Sequence, residues 1–333
     1  MKIVFFEVPK KDESIFLGHF NGAEVSFCEE KLEEDSVKKA KDADVVSVFV
    51  NSKINKKVIN ALPNLKFIAT RSTGFDHIDC EYAKTKGIKV ANVSSYGSHT
   101  VAEFTFGLML NLSRRIIFEN NYVKKTEDFN YFPKMEGFDL NGKTLGVVGT
   151  GKIGKNVVKI AKGFGMNIVA YDLYPDLDFA RENNFEYKSL EDVIKISDVI
   201  TLHTPYNKEN HHLINKNNIS LMKKGVCLVN TARGELIDTF AIVEGLKSGI
   251  ILGFATDVLE AERILKEKRG FFGGPSKEEE RLIKINHELM EMPNVIITPH
   301  VAFFTFEAVA SIQKTTIENI EGFLSGALIN LVN

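Results

Sequence analysis

Short apolar runs alternate with polar stretches of helical period along most of the chain. Before the middle of the chain, the runs at 2–6, 44–50, 65–70 and 88–92 predict strands, and the polar stretches at 29–41 and 53–62 predict helices. Strands that alternate with helices form parallel sheets, so the pattern predicts an α/β protein with two doubly wound parallel-sheet domains. Six strands, the number in a doubly wound fold, are predicted for the second domain at 145–148, 168–171, 199–202, 226–230, 252–256 and 295–298.

Residues 144–172 carry the first candidate chemistry. A buried strand leads into Gly149-x-Gly151-x-x-Gly154, a helix-period stretch follows, and a second strand ends at Asp172. Gly149 permits a tight turn, Gly151 lets the backbone approach a pyrophosphate, and Gly154 lets the helix pack close to the sheet. Asp172 can accept hydrogen bonds from a ribose, and the next three residues offer no cation for a 2′-phosphate. This predicts an NAD site, the alternative being a glycine-rich turn in another kind of α/β protein.

The order of the elements predicts a discontinuous first domain. Its sheet precedes the nucleotide motif, and an amphipathic helix at 305–324 is left over once the second sheet is complete. We predict that this helix packs on the first domain, which gives residues 1–98 with 301–333 as one domain and 99–300 as the other.

The stretch between the two sheets is apolar enough to need a partner surface. A helix predicted at 98–119 is apolar around most of its circumference, and the arm at 120–140 carries five aromatic residues. We predict a homodimer through residues 99–140; the alternative is a helix buried within its own chain.

A charged insertion at 263–293, with a glycine-rich centre at 270–275, leaves the carboxyl end of the fifth strand of the second sheet. Its position would suit a lid, but a solvated excursion of short helices is the favoured interpretation. No role in chemistry is predicted for it.

Composition excludes several classes of partner. The chain of 333 residues is 44% hydrophobic and 26% charged, and no apolar run is long enough to span a bilayer. A formal net charge of -2 gives no general attraction for nucleic acid or an anionic membrane, so neither is expected as a partner. The N-terminal run lacks a signal-peptide cleavage site, and three separated cysteines are typical of reduced thiols in the cytoplasm.

Polar residues follow several strands of the second sheet, where ligands bind in open α/β folds. They are His203-Thr204-Pro205, Asn230-Thr231-Ala232-Arg233, Asp257 and Thr298-Pro299-His300. A 2-keto acid being reduced needs a proton, which His300 could supply, and Glu262 could stabilise the imidazolium. The planar fork of Arg233 could hold the substrate carboxylate. Taken alone, His300 is more often a structural histidine; with Arg233 and Glu262 it becomes the favoured acid.

No metal site is predicted. The cysteines are too far apart for a zinc site, and His211-His212 is interpreted as a solvated pair on the loop before a helix.

Seven motifs, in order and at family spacing, resemble the D-isomer-specific 2-hydroxyacid dehydrogenases, most closely the D-lactate dehydrogenases. They are RSTGFDHID (71–79), NVSSYGSHTVAEF (92–104), GVVGTGKIG (146–154), SDVITLHTPYNKENHHLIN (197–215), LMKKGVCLVNTARGELID (221–238), ATDVLEAE (255–262) and ITPHVAFF (297–304).

The resemblance implies a flavodoxin-like catalytic domain around an inserted Rossmann NAD domain. It also implies that Arg233 binds substrate, that His300 is the acid/base, and that Glu262 is its partner. Further substrate contacts are implied for the backbone of Thr73 and Gly74 and for Tyr96, with Phe303 and Phe49 lining the side-chain pocket. Cofactor contacts are implied for Thr100, Gly149, Gly151, Lys152, Ile153, Gly154, Asp172, Thr204, Pro205, Asn210, Thr231, Ala232 and Asp257.

The expected function is therefore NAD-dependent interconversion of a small 2-keto acid, pyruvate first, and the D-hydroxy acid. Many lactate-type members have proline after the tyrosine, where this chain has Gly97-Ser98, so larger substrates of the hydroxyisocaproate or phenyllactate type stay open. The alternative from another class is an NAD-sensing binding protein similar to the corepressors built on this fold.

Overall fold

The computed structural model describes residues 1–94, 96–262, 265 and 276–333. The chain divides into two compact units, Met1–Tyr96 with Phe304–Asn333, and Gly97–Phe303. The sequence predicted these divisions at 98/99 and 300/301.

All twelve strands described are parallel to their neighbours. The strands are β1 (Lys2–Phe6), β2 (Glu24–Cys28), β3 (Val45–Val48), β4 (Phe67–Thr70), β5 (Lys89–Ala91), β6 (Thr144–Val148), β7 (Asn167–Tyr171), β8 (Glu186–Tyr187), β9 (Val199–Leu202), β10 (Val226–Asn230), β11 (Ile251–Thr256) and β12 (Val295–Ile297). The α-helices are α1 (Lys56–Asn60), α2 (Cys80–Thr85), α3 (Ser98–Arg114), α4 (Ile116–Thr126), α5 (Lys152–Gly163), α6 (Leu177–Asn183), α7 (Leu190–Ile196), α8 (Lys216–Ile219), α9 (Thr239–Ser248), α10 (Lys277–Met290) and α11 (Phe306–Ser325). Short 3₁₀ helices lie at Lys10–Ile15, Val37–Ala40, Pro133–Met135, Lys208–Asn210 and Gly234–Leu236.

The first unit is a five-stranded sheet in the order β2-β1-β3-β4-β5. This is the strand order of flavodoxin-like folds, which confirms the predicted fold class for this unit. The C-terminal helix α11 packs on the same sheet, since the Phe323 ring stacks on that of Phe67 with centroids 4.6 Å apart. The predicted return of the tail is confirmed.

For the first unit, one strand was not predicted and one predicted helix was wrong. The edge strand β2 was not predicted, because its residues are only partly buried and form no continuous apolar run. Residues 29–36 are not helical, and only Val37–Ala40 forms a 3₁₀ turn. The Ser36 hydroxyl accepts from the Glu33 N–H and donates to the Lys31 carbonyl, so local side-chain bonds replace those of a helix.

The second unit is a seven-stranded sheet in the order β12-β11-β10-β9-β6-β7-β8. The six predicted strands are confirmed, and the seventh, β8, is a two-residue edge strand too short to produce a pattern. Strand order reverses between β6 and β9, the kind of switch point at which doubly wound folds bind dinucleotides. Neighbouring residues of one strand enter opposite apolar clusters, as Val147 and Val148 do, so helices cover both faces of the sheet.

The predicted helix at 98–119 is two helices. Arg115 has φ +52, and this left-handed residue ends α3 and begins α4. Residues 120–126, predicted as part of the arm, therefore lie in α4. The rest of the arm folds back on α4, where Tyr122 donates a hydrogen bond to Asp128 and packs edge-on against Phe132.

The insertion predicted at 263–293 falls partly outside the described residues, which exclude 263, 264 and 266–275. Its second half is a single helix, α10, that buries Asn286 and Leu289. Among the described helices, none has the length and apolarity needed to cross a membrane. The three cysteines form no disulfide.

Candidate active site

The candidate residues of the second unit lie at one edge of its sheet. Because the strands are parallel, the loops after them all leave the carboxyl edge. The structure brings to this edge the glycine turn after β6, Asp172 after β7, Thr204 after β9, Arg233 after β10, Asp257 after β11 and His300 after β12.

The glycine turn has the geometry that a dinucleotide requires. Gly149 has φ +93, and a Cβ at this position would lie 2.7 Å from the backbone carbon of His203. A Cβ on Gly154 would lie 2.0 Å from the Gly149 oxygen, so only glycine lets α5 approach the turn. Gly151 faces open space and begins α5 without a side-chain cap, which leaves helix N–H groups available to a phosphate.

Hydrogen bonds fix the orientation of the Asp172 carboxylate, which follows β7 directly. Its Oδ2 accepts from the backbone and the hydroxyl of Thr150 at 2.6 and 2.9 Å, and its Oδ1 accepts from the Tyr174 N–H at 2.9 Å. An ionised carboxylate offers about four acceptor sites, so one stays available for a ribose hydroxyl. These residues fit a bound NAD.

His300 and Glu262 form the predicted pair. His300 Nδ1 lies 2.8 Å from Glu262 Oε1, and the side chains are 24% and 29% exposed. His300 has φ +57, a left-handed conformation that is rare for a residue other than glycine. Such strain persists only where the surroundings impose it, and it is concentrated at functional sites.

Asp257 imposes the conformation of the His300 segment. Its Oδ1 accepts from the Thr298 hydroxyl at 2.5 Å and from the Val301 N–H at 2.9 Å, and its Oδ2 accepts from the Ala302 N–H at 2.8 Å. The carboxylate is 1% exposed. Sequence reasoning assigned Asp257 to the cofactor and missed this clamp across residues 298–302.

A single residue directs two neighbouring glutamates to different histidines. Ala261 has φ +56, and Glu262 on one side of it pairs with His300. On the other side, buried Glu260 accepts from His212 Nε2 at 2.7 Å. The prediction that His211 and His212 are a solvated pair is therefore wrong for His212.

The turn that carries Arg233 is fixed by Asn230. The Asn230 side chain accepts from the Ala232 N–H at 3.0 Å and donates to the Arg233 carbonyl at 2.8 Å. A Cβ on Gly234 would lie 2.1 Å from the carbonyl carbon of Leu259, so this turn packs directly on the segment that leads to Glu262. The sequence analysis named Asn230 at the strand end but gave it no role in positioning Arg233.

Glu235 is a titratable group beside the pair. Burial raises the pKa of Glu235, and the charge of Glu262 raises it further, while Arg233 acts in the opposite direction. Glu235 therefore interacts electrostatically with both Glu262 and Arg233, although the sequence did not indicate it.

The other predicted cofactor residues are placed as follows. The Thr231 hydroxyl lies 3.0 Å from that of Thr105, and Asn210 donates to the Pro205 carbonyl at 2.7 Å while it completes the capping box of residues 207–210. Thr100 is buried in the first turn of α3, Lys152 and Ile153 begin α5, and Thr204 follows β9.

The predicted substrate residues Thr73, Gly74 and Tyr96 belong to the first unit. The loop after β4 is pinned by side chains: Asn92 donates to the Thr73 carbonyl at 2.8 Å, and Ser72 donates to the Gly74 carbonyl at 2.6 Å. Within the part of the chain that the structure describes, the N–H groups of Thr73 and Gly74 donate to no protein acceptor. Two unpaired N–H groups in succession can bind an anion.

Buried Arg71 lies at the start of this loop and joins it to the neighbouring strands. Its guanidinium donates to the Ser47 hydroxyl at 2.9 Å and to the Phe6 and Glu7 carbonyls, and burial lowers its pKa to about 10. Phe49 lies near the same guanidinium, 5.9 Å from ring centroid to Cζ.

Comparisons with known proteins decide the family. Residues 106–302 match the model of the D-isomer specific 2-hydroxyacid dehydrogenase NAD binding domain. The chain belongs to this family. It is 38% identical to the D-lactate dehydrogenase of Escherichia coli over 98% of both chains. It is also 41% identical to an aromatic 2-oxoacid reductase of Clostridium sporogenes over 85% of this chain and 84% of that protein.

A solved structure agrees. The D-lactate dehydrogenase of Aquifex aeolicus, complexed with NAD and lactic acid, superposes with a TM-score of 0.88 at 37% identity, covering 98% of this chain and 96% of that one. The chain is thus an NAD-dependent D-2-hydroxyacid dehydrogenase, and the alternative of a non-enzymatic NAD sensor is set aside.

Proposed function

We propose that this dehydrogenase reduces pyruvate to D-lactate, with His300 as the acid, Glu262 as its partner and Arg233 as the anchor for the substrate carboxylate. The observation that carries the proposal is the contact of 2.8 Å between His300 and Glu262. This pair lies at the carboxyl edge of the sheet, where Arg233 and the glycine turn also lie.

The pair gives the imidazole a defined orientation. Because His300 Nδ1 faces Glu262, a hydrogen on Nδ1 is held there, and Nε2 is the nitrogen left to protonate a carbonyl oxygen. The carboxylate also stabilises the imidazolium before transfer. Bound nicotinamide supplies the hydride; the chain supplies the proton, the orientation and the charge.

Two sets of donors account for the substrate carboxylate in this proposal. Arg233 can present paired N–H groups to a carboxylate. The family resemblance assigns the same carboxylate to the backbone N–H groups of Thr73 and Gly74, and successive backbone N–H groups can donate hydrogen bonds to an anion. The family resemblance adds a hydrogen bond from Tyr96, with Phe49 and Phe303 beside the substrate side chain.

The substrate is tested by comparing keto acids. Initial rates of NADH oxidation would be measured with pyruvate, 2-ketoisocaproate and phenylpyruvate, and kcat/KM compared. We expect pyruvate to be preferred. A preference of more than about tenfold, 1.4 kcal/mol, for phenylpyruvate would instead favour the aromatic chemistry named for the Clostridium relative.

We also propose that the enzyme is a homodimer through α4 and the arm. Ile116 and Ile117 are about half exposed, and Phe129 and Tyr131 are 91% and 93% exposed. Apolar side chains gathered in one stretch of surface are typical of an interface.

The dimer is tested by light scattering after size-exclusion chromatography. The double variant Phe129→Ser/Tyr131→Ser should be monomeric, or should dissociate at a much higher protein concentration than the wild-type dimer does. Phe306→Ser removes an aromatic ring that is 94% exposed elsewhere and is the matched control. A wild-type monomer, or a double variant that stays as dimeric as the control, would contradict the proposal.

A further inference from the structure

His211, His212 and Glu260 lie together outside the His300 pair. Their ligand atoms, two imidazole nitrogens and a carboxylate oxygen, all lie within 4.8 Å of one another. The two rings stack with centroids 3.9 Å apart, and His212 Nε2 contacts Glu260 Oε1. From this geometry we infer that the three residues form a binding site for a zinc-like divalent transition-metal ion.

The carboxylate is positioned as a ligand oxygen would be. Glu260 is only 5% exposed, and its Oε2 accepts from the N–H and the hydroxyl of Thr239 at 3.0 and 2.5 Å. These bonds use one oxygen and leave Oε1 directed at His212. Hydrogen bonds of this kind, made by the groups behind a ligand, orient metal-binding carboxylates.

The histidines are also oriented from behind. His212 has φ +53, and its N–H donates to the Glu235 carbonyl at 2.9 Å, which turns its ring toward Glu260. His211 Nδ1 lies 3.4 Å from the Tyr206 hydroxyl, which leaves Nε2 as the ligand atom. One side of the cluster is open, because His211 is exposed.

Binding needs a small rearrangement. Bonds of about 2.0–2.1 Å in a tetrahedral site hold ligand atoms about 3.3 Å apart, so an ion must displace the proton between His212 and Glu260 and separate these atoms slightly. The exposed His211 ring must turn out of its stacked position.

The donor set selects the ion. Two imidazoles and one carboxylate suit Zn²⁺, Co²⁺ or Ni²⁺, whereas Mg²⁺ prefers oxygen ligands. A bound ion would also fix the position of Glu260. Only Ala261 separates Glu260 from Glu262, the partner of His300. The inference does not depend on which keto acid the enzyme reduces.

Untagged, chelator-treated full-length enzyme would be titrated with Co²⁺ by visible absorption, with Zn²⁺ as competitor and Mg²⁺ as a further probe. We expect one saturable Co²⁺ site per chain, displaced by Zn²⁺ and unaffected by Mg²⁺. His211→Gln should weaken binding about tenfold or more. His287→Gln, which removes an exposed histidine of α10, should bind as wild type.

The turnover rate of metal-free His211→Gln would be measured on the same preparation. It should equal that of the wild type, and this equality would show that the variant is folded. The inference is overturned if no saturable site is found, or if His211→Gln binds Co²⁺ as tightly as wild type, since the ion would then lie elsewhere. Equal weakening by His287→Gln would overturn it as well.

Discussion

Asp257→Asn tests how the structure holds its proposed acid. Asp257 makes three hydrogen bonds to Thr298, Val301 and Ala302, which bracket His300. Asparagine has one acceptor oxygen. If that oxygen keeps the bonds to Thr298 and Val301, the amide NH₂ faces the buried N–H of Ala302, and two donors oppose each other.

The cost follows from that arrangement. Loss of one hydrogen bond to a charged group, with a buried N–H left unpaired, is worth about 1.5–3 kcal/mol. If this free energy is lost as incorrect positioning of His300 in the transition state, kcat should fall by about 10-fold to 150-fold. A loss of about 1.4 kcal/mol corresponds to a factor of ten in rate. NADH affinity should change little.

The assay combines steady-state kcat with NADH binding measured by fluorescence. Asp198→Asn is the matched control, because Asp198 also accepts a backbone N–H, that of Thr144 at 2.8 Å, but at the opposite edge of the sheet. It should lower stability and leave kcat unchanged. Should Asp257→Asn keep kcat within about twofold, or lose only NADH affinity, the clamp would not govern His300 and the contact with the cofactor would be its main role.

Three further predictions concern single positions. Gly154→Ala places a methyl group 2.0 Å from the Gly149 oxygen, so it should weaken NADH binding and cost about 1–3 kcal/mol of stability, measured by urea unfolding and fluorescence; tolerance of alanine would contradict the predicted close approach. Burial lowers the pKa of His203 from 6.5 to about 3, so as the pH falls from about 6.5 the unfolded chain takes up a proton that the folded chain does not. Stability should then decrease by about 1.4 kcal/mol per pH unit, and unfolding of His203→Gln should lack this slope; an unchanged slope would refute the assignment. Arg233→Lys should raise the KM for keto acid much more than that for NADH, because an ammonium cannot present paired donors, and unchanged keto-acid kinetics would place the carboxylate elsewhere.

The sequence predicted those features that depend on local spacing. The glycine turn, its strands and Asp172 lie within thirty residues, and their order alone implies the geometry found at Gly149 and Gly154. The candidate residues at strand ends were predictable for a similar reason, since parallel strands deliver their carboxyl ends to one edge.

What the sequence could not predict depends on tertiary contacts. Arg115, Ala261 and His300 adopt positive φ without being glycine, and nothing in their neighbours' identities indicates it. The pairing of His212 with Glu260 joins residues 48 positions apart. Edge strands β2 and β8 escaped prediction because they bury too little surface to require an apolar pattern.

The central claim is that His300 supplies the proton. The most direct measurement is kcat for NADH-dependent pyruvate reduction by His300→Ala, with NADH affinity measured on the same preparation and His287→Gln as the control. The account predicts a kcat lower by about 100-fold or more with NADH affinity retained. A His300→Ala enzyme that turns over within a few-fold of the control would contradict it.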